Sequence, residues 1–309
     1  MSANNKQNDR LKKQAAAASI SLAIGLCLLK SWGAYLSGSL AVLSSMVDSL
    51  SDIVASMITF WAIKISGRPA SCNYRYGYGK AEALSACAQA MFIAVSGAFI
   101  FYDAVQRLIE HRVLEHSLSG LIIMGVSLVL TLVLVAFQQY VAKVTKSQAI
   151  MADSKHYSVD ILTNSAVLVS LGIIYLWKIY WIDAFMALSA AIYLLYCAYD
   201  LAKSAVYLLL DKELPHSVRE KVAKIVRSHP IKPELHDLRT HDLGGVYMFE
   251  LHLELDGNLS LTEAHKYTEE VENMLRKAYP EAQIIIHQDP KGVEEERLDH
   301  KLSGNGCDI

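Results

Sequence analysis

Long apolar stretches separated by short polar ones fill the first two thirds of the chain. Each holds twenty or more residues, enough for an α-helix to cross about 30 Å of hydrocarbon. The pattern therefore predicts six spanning helices, at 14–36, 40–65, 81–108, 117–144, 149–177 and 180–208.

The pattern changes at Asp211, where shorter periodic segments begin. They predict helices at 216–228 and 260–279 and strands at 234–241, 246–255 and 282–287. The order αββαβ is typical of a small ferredoxin-like, or metallochaperone-like, α+β domain. The predicted fold class is thus an all-α membrane bundle of six helices followed by a cytoplasmic α+β domain. Its parts are an N-terminal arm (1–13), the bundle (14–210), the α+β domain (211–291) and a disordered tail (292–309).

Composition supports a membrane protein. The chain has 309 residues, of which 53% are hydrophobic, with a mean hydropathy of +0.25. These values are too apolar for an ordinary soluble domain. The five cysteines form no CxxC pair and predict no disulfide framework. No glycine-rich nucleotide loop is found, and no nucleic acid partner is expected.

Charge predicts the orientation of the helices. The net charge of −2 hides an uneven split, because the acidic excess and most of the histidines fall after residue 210. Lys and Arg concentrate in the N-terminal arm and in the second and fourth connections, which predicts that these lie in the cytoplasm. Both termini are therefore expected on the cytoplasmic side of a cell (inner) membrane.

Four ionisable side chains interrupt the second and fifth apolar stretches. Asp48 and Asp52 lie in the second, and His156 and Asp160 in the fifth. Each pair is spaced i, i+4, so both members share one helix face. A charge near the bilayer centre costs on the order of 2.5–3.5 kcal/mol even on insertion scales. Two aligned pairs at that cost indicate a function.

Three carboxylates and one imidazole are ligands that a divalent metal ion prefers, Zn²⁺ and Fe²⁺ among them. Their place inside a membrane indicates metal transport, with His156 as the group that couples to protons because imidazole titrates near neutral pH. The alternative is that the four groups only hold helices together, paired with Lys30, with Lys64 or with each other. Asp153 and Asn164 are expected to orient ligands or to line the access path.

The combination of these motifs resembles the cation diffusion facilitator family. D-x3-D in the second helix, H-x3-D in the fifth and a histidine-bearing αββαβ domain carry the resemblance. The stretches VDSLSD, GYGKAEAL, HDLRTHD and IIIHQDP are similar to its bacterial zinc and ferrous-iron efflux branch. The resemblance implies a homodimer in the lipid bilayer that exports zinc, with iron(II) or cadmium as further candidates, in exchange for protons.

The resemblance also implies roles for residues outside the four. Lys80 and Asp211 resemble a charge interlock at the membrane–cytoplasm junction of the dimer. A binuclear regulatory metal site is implied at five residues of the cytoplasmic domain: His236, His252, His265, His287 and Asp289. Strand alternation agrees in part, because the apolar residues of 246–255 leave His252 on the other face. His241 is a further candidate, whereas His216, His229 and His300 are expected at the surface.

One departure from the family is visible in the connection between the second and third helices. Related proteins carry a metal site there, made of an aspartate and two histidines. This chain has Ser71, Cys72 and several tyrosines in that stretch. One soft thiol does not make a metal site. The sequence therefore predicts that the loop site is absent.

Two other classes of function remain possible at this stage. A membrane metal sensor would bind the ion without moving it and would signal through the cytoplasmic domain. An intramembrane metallohydrolase would need an open coordination position and a general base. The chain has no HExxH-type pairing, so no enzyme activity is expected.

Overall fold

The structure, a computed structural model, describes residues 3–37, 40–110, 118–177 and 181–293, without the side chains of 3–6, 33–48, 110, 118–121, 171 and 175. Six long helices come first: α1 (Ala3–Ser37), α2 (Leu40–Ser66), α3 (Ala81–Glu110), α4 (Leu118–Thr145), α5 (Gln148–Trp177) and α6 (Trp181–Leu209). All six are long and apolar enough to cross a membrane. The six predicted spans are confirmed. Helix α1 begins inside the predicted N-terminal arm, whose basic residues therefore lie on a helix.

Chain contacts divide the protein into Met1–Val206 and Tyr207–Ile309, and each unit has its own core. In the first unit, α3, α5 and α6 meet through small side chains, among them Ala90, Ala152 and Ala198. Gly97 on α3 permits this approach, because a Cβ atom there would lie 3.2 Å from the Cβ of Leu194. Small residues at helix contacts are the usual means of close packing in membranes.

Helices α1, α2, α4 and α5 share a second core. Ala15 and Ala16 of α1 contact Ile63 of α2, and Val141 and Ile150 bring in α4 and α5. This packing places α5 between the α1–α2–α4 group and the α3–α6 pair. Polar side chains on the buried part of α5, such as Asp153 and His156, therefore face other helices.

One buried carboxylate joins several helix ends. Glu82 at the start of α3 is 5% exposed and lies 2.8 Å from the Nζ atom of Lys12 on α1. Ser66 at the end of α2 and Ser147 before α5 also donate hydrogen bonds to it, at 3.0 and 2.5 Å. We call this end of the bundle the basic end, since the Lys- and Arg-rich connections lie here.

Glu82→Ala is expected to destabilise the bundle by roughly 2–3 kcal/mol. That is less than the 3–5 kcal/mol seen for fully buried pairs, because Lys12 keeps some contact with water. The measurement is the unfolding of the purified protein in detergent, with the exposed Glu220→Ala variant as the control. Equal stability of the two variants would show that the Glu82 contacts do not hold the helix ends together.

The second unit has the order α7 (His216–Arg227), β1 (Glu234–Asp242), β2 (Tyr247–Leu255), α8 (Leu261–Ala278) and β3 (Gln283–Pro290). The predicted αββαβ domain is confirmed. The sheet order is β1-β2-β3, with β1 antiparallel and β3 parallel to β2. Both helices cover one face, where Phe249, Leu251 and Leu253 pack against Val226 and Leu275. The other face keeps the polar residues of β2, as the alternation of β2 predicts.

One turn and one irregularity in β1 fix the register between β1 and β2. Asp242 ends β1 and accepts hydrogen bonds from the backbone N–H groups of Gly244 and Gly245, at 2.8 and 2.6 Å. Both glycines have positive φ angles, a conformation that favours glycine. A register shift lies between His236 and Arg239 of β1. Residues 234–236 pair with β2 in the register that sets His236 opposite His252. Residues 239–242 pair with β2 in a register that differs by one residue.

Helix α8 begins with the predicted capping box. The hydroxyl of Ser260 accepts a hydrogen bond from the backbone N–H of Glu263, whose side chain accepts one from the Ser260 N–H. Hydrogen bonds from the Ser260 side chain and backbone hold the pKa of Glu263 below its usual value. The expectation that His229 lies at the surface is wrong. It is 3% exposed because its Nε2 atom faces Glu270 of α8, 3.0 Å away.

Candidate metal centres

Helices α2 and α5 bring three predicted metal ligands together inside the first unit. The Nε2 atom of His156 lies 3.2 Å from an oxygen of Asp52. One ligand atom from each of Asp52, His156 and Asp160 lies within 4.8 Å of the other two. His156 and Asp160 share a face of α5 because they are one turn apart, as the i, i+4 spacing predicts. We call these three residues the bundle cluster.

Local sequence explains why α2 and α5 approach so closely here. Ser49, Ala55 and Ser56 surround Asp52 on α2, and all three are fully buried. Such small side chains let two helices pack with little separation. Tyr157 of α5 is also fully buried, and its ring meets that of His156 edge to face at 5.7 Å. The imidazole is therefore held against a fixed neighbour.

The fourth predicted ligand, Asp48, belongs to α2 one turn before Asp52. Its side chain lies outside the described residues. Its place in the site rests on the i, i+4 spacing alone.

A cavity of about 520 Å³ reaches the bundle cluster from one side. Asp52, His156 and Asp160 line it at one end, and Asn164 continues along the α5 face. Lys30 of α1 also lines the wall. The cavity runs away from the basic end, towards the opposite end of the bundle.

Charged residues line the far part of this cavity. Arg107 of α3 contacts Asp103 on its own helix at 2.5 Å and Asp183 of α6 at 3.0 Å. Ser170 of α5 donates a 2.6 Å hydrogen bond to the second oxygen of Asp183. Two carboxylates share one guanidinium, so these three groups carry a formal net charge of −1. Through Arg107, Asp103 takes part in the contact between α3 and α6.

Asp153 is not part of the bundle cluster. It lies one turn before His156 on α5 and is fully buried. Its partners are Ser19, Thr59, Gln89 and Gln138, from four different helices. None of these partners was predicted from the sequence. The sequence shows only that these positions are polar, which does not indicate what they contact.

The sheet of the second unit brings three imidazoles to one carboxylate. His236, His252 and His287 occupy one row across β1, β2 and β3. Asp289 is 4% exposed. Its Oδ2 atom lies 2.8 Å from Nδ1 of His252 and 3.3 Å from Nε2 of His236, and its Oδ1 atom lies 3.1 Å from Nε2 of His287. We call these four residues the sheet cluster.

Strand register accounts for the sheet cluster. His236 pairs with His252 across β1 and β2, and His252 pairs with His287 across β2 and β3. Asp289 follows His287 by two positions, so both side chains lie on the same face of β3. The centres of neighbouring rings are 5.1 and 4.8 Å apart. An ion bound by imidazole nitrogens and a carboxylate oxygen fits this ligand set.

His265 is not brought into the sheet cluster. It lies on α8 with an exposed side chain, whereas the cluster atoms that lie within 4.8 Å of one another belong to His236, His252 and Asp289. His241, the extra candidate, lies instead 3.8 Å from Asp211. Asp211 and Lys80 belong to different units, and their interlock stays a prediction.

In the connection between α2 and α3, the side chains contact one another. Ser71 and Tyr78 share a 3.0 Å hydrogen bond, and the rings of Tyr74 and Tyr78 lie 4.7 Å apart. Cys72 is exposed. Among the described residues, the metal-type clusters are confined to the bundle and the sheet. That the connection lacks a metal site stays a prediction from its sequence.

Comparison with known proteins covers both units. The model of the cation efflux transmembrane domain matches residues 16–210. The model of the cation efflux protein cytoplasmic domain matches residues 214–291.

Among curated proteins, the chain is similar to the cation-efflux pump FieF of Salmonella arizonae and to that of Klebsiella pneumoniae. Each is 39% identical over 290 residues, which is 94% of this chain and 96% of the relative. A solved structure of CzrB in its Zn form is 31% identical. It matches 28% of this chain and 99% of its own, with a TM-score of 0.25.

Proposed function

Because the chain belongs to the cation diffusion facilitator family, we propose that it exports Zn²⁺ or a related divalent ion from the cytoplasm in exchange for protons. The family and the six apolar helices make it a multi-pass membrane protein that moves divalent cations out of a compartment. The identity of the ion, the proton exchange and the residues that bind the ion are the parts we propose.

The bundle cluster carries this proposal. Two carboxylates and one imidazole meet at the end of a cavity, inside helices that can cross a membrane. Tetrahedral zinc with bonds of about 2.0–2.2 Å needs ligand atoms roughly 3.4 Å apart. Atoms within 4.8 Å of each other have to approach by about 1.4 Å at most to reach that geometry. Asp48 completes the proposed set of four.

Proton exchange follows from the same ligands. Metal ions bind to deprotonated carboxylates and to neutral imidazole, so binding releases protons and weakens as pH falls. His156 is the proposed coupling group. Metal enters from the cytoplasm, a rocking motion of the helices turns the site outward, and protons from outside displace the ion.

The two ends of the bundle differ in access to the bundle cluster. The cavity leads from it towards Asp103, Arg107 and Asp183, and the basic end lies on the other side. Under the positive-inside rule the basic end is cytoplasmic. On this basis the described arrangement is proposed to be the outward-facing state, with both termini inside the cell membrane.

The sheet cluster is proposed to regulate transport. Imidazoles from three strands and a buried carboxylate would bind metal at the cytoplasmic concentration and tighten the contact between two protomers. The matched cytoplasmic domain and the family support a homodimer. Lys80 and Asp211 are proposed to pair at its membrane junction, and His265 to join the cluster when metal is bound.

The metal sensor and the metallohydrolase are less well supported than a transporter. The similar curated proteins carry the name cation-efflux pump, which gives no support to a sensor that binds without transport. A metallohydrolase would need an open coordination position, whereas a fourth protein ligand is proposed here.

Metal-resolved flux tests the choice of ion. Full-length protein in proteoliposomes is expected to pass Zn²⁺, Fe²⁺ and Cd²⁺ and to pass Mn²⁺ more slowly, because imidazole favours the borderline ions. The measurement is the initial rate for each ion at equal concentration, with protein-free vesicles as the control. Passage of Mn²⁺ alone would contradict the proposed ligand set.

A further inference from the structure

Asp153 is a buried carboxylate that the proposed metal site does not use. Ser19 of α1 and Gln138 of α4 donate hydrogen bonds to its Oδ2 atom, at 2.5 and 2.6 Å. Thr59 of α2 and Gln89 of α3 approach its Oδ1 atom at 3.4 Å. One side chain of α5 thereby collects donors from all four of the preceding helices. We call these five residues the polar layer.

Further hydrogen bonds connect the polar layer to its surroundings. Ser56 of α2 lies 3.1 Å from the hydroxyl of Ser19 and 2.8 Å from the hydroxyl of Tyr157. All five residues of the layer are fully buried. The carboxylate of Asp153 thus accepts all of its hydrogen bonds where water is excluded, whereas the Oε1 atoms of Gln89 and Gln138 are buried without a hydrogen-bond partner among the described residues.

The polar layer separates the bundle cluster from the basic end. On α5 the order from the basic end is Gln148, Asp153 and then His156. On three other helices too, a residue of the polar layer lies nearer the basic end than a residue that lines the cavity. These pairs are Ser19 and Leu26 on α1, Gln89 and Ile93 on α3, and Gln138 and Thr131 on α4. The cavity therefore stops at this layer.

A seal made of hydrogen bonds differs from an apolar plug. When the helices separate, water can take over the bonds that the donors and the carboxylate made to each other, so opening is reversible. The carboxylate sits on the helix that carries His156 and Asp160, and its donors sit on other helices. Movement of α5 against its neighbours would therefore break the polar layer and, at the same time, displace His156 and Asp160.

We propose that Asp153 and its four donors form the gate that closes the bundle cluster to the basic end of the protein. Asp153 acts as a positioning residue, which holds α5 in the outward-facing arrangement, and not as a metal ligand. Naming the gated side as cytoplasmic rests on the proposed function. The gate itself rests on the hydrogen bonds and on the course of the cavity.

Side-specific thiol labelling tests the gate without any need for transport. Ser96 of α3 lines the cavity, so Ser96→Cys reports access to it, in a full-length chain whose five native cysteines are replaced by serine. A membrane-impermeant maleimide should label this cysteine from the far side and not from the basic side. Asp153→Ala should raise basic-side labelling at least roughly tenfold, since loss of the shared acceptor shifts the population towards the inward-open state.

Matched variants make the result specific. Asp183→Ala removes another buried carboxylate of the bundle, at the far end of the cavity, and should leave basic-side labelling unchanged. Asp153→Asn keeps the size but loses one acceptor oxygen, so its labelling should be intermediate. Gel filtration and far-side labelling show whether Asp153→Ala folds. If it does not, the double variant Ser19→Ala, Gln138→Ala removes the two short hydrogen bonds to Asp153 and should raise basic-side labelling in its place.

The outcomes separate the gate from the transport proposal. Basic-side labelling of Asp153→Ala at the parent rate would overturn the gate, whatever the protein transports. Metal binding provides a second readout: Asp153→Asn should bind Zn²⁺ in detergent within about twofold of the parent, because the carboxylate is not a ligand, whereas ligand loss costs far more. If the unmodified protein bound metal but never transported it, the proposed function would be contradicted. The labelling result, and with it the gate, would still stand.

Discussion

His156→Ala is expected to reduce metal flux into proteoliposomes at least about 100-fold. The loss of a supporting residue around a metal site already costs 10–100-fold in affinity or activity, and His156 is a proposed ligand. Its Nε2 atom lies 3.2 Å from Asp52, and it is the one imidazole among the described residues of the bundle cluster. Asp52→Ala is expected to have an effect of the same size, because the pair then loses its carboxylate.

Matched substitutions separate ligand loss from general damage. His216→Ala removes an exposed imidazole of the second unit, and Asp256→Ala removes an exposed carboxylate. Both should transport at the parent rate. The measurement is the initial rate of zinc entry, followed with a luminal indicator, at equal protein density. Parent-like transport by His156→Ala or by Asp52→Ala would overturn the site assignment.

The second large effect is expected at the sheet cluster. Asp289→Ala removes the carboxylate that contacts three imidazoles at 2.8, 3.3 and 3.1 Å. Metal binding by the second unit should fall at least roughly 10–100-fold. Binding at the bundle cluster should be unchanged, because that cluster lies in the other unit.

Equilibrium dialysis of the full-length protein measures this effect as the number of ions bound per chain. The parent and Asp256→Ala should show both classes of site, and Asp289→Ala should lose one class. Asp289→Asn, which preserves the size of the side chain, separates loss of charge from loss of packing. An unchanged binding isotherm for Asp289→Ala would show that the sheet cluster does not bind metal.

The sequence was sufficient for features that depend on local periodicity. The i, i+4 spacing placed His156 and Asp160 on one helix face, and strand alternation placed His252 opposite the core. The αββαβ order follows from the same two periods, and the six spans follow from the length of the apolar stretches. These features need only the residues of one element.

The features that the sequence did not reveal depend on which elements become neighbours. Asp153 takes donors from four helices, and isolated Ser, Thr and Gln residues in apolar stretches do not encode their partners. His229 was expected at the surface because nothing local indicated Glu270. The alignment of His236 with His252 depends on a register shift in β1, which alternation alone does not predict.

Uphill transport is the most direct test of the central proposal that the bundle cluster exchanges a divalent ion for protons. Full-length protein is reconstituted with the basic end outward, in vesicles with an acidic lumen and Zn²⁺ outside. Luminal zinc should rise above the external concentration while protons leave. An ionophore that removes the pH gradient should abolish the accumulation, and His156→Ala should show none. Zinc that binds to the protein but never exceeds the external concentration in the lumen would contradict the account.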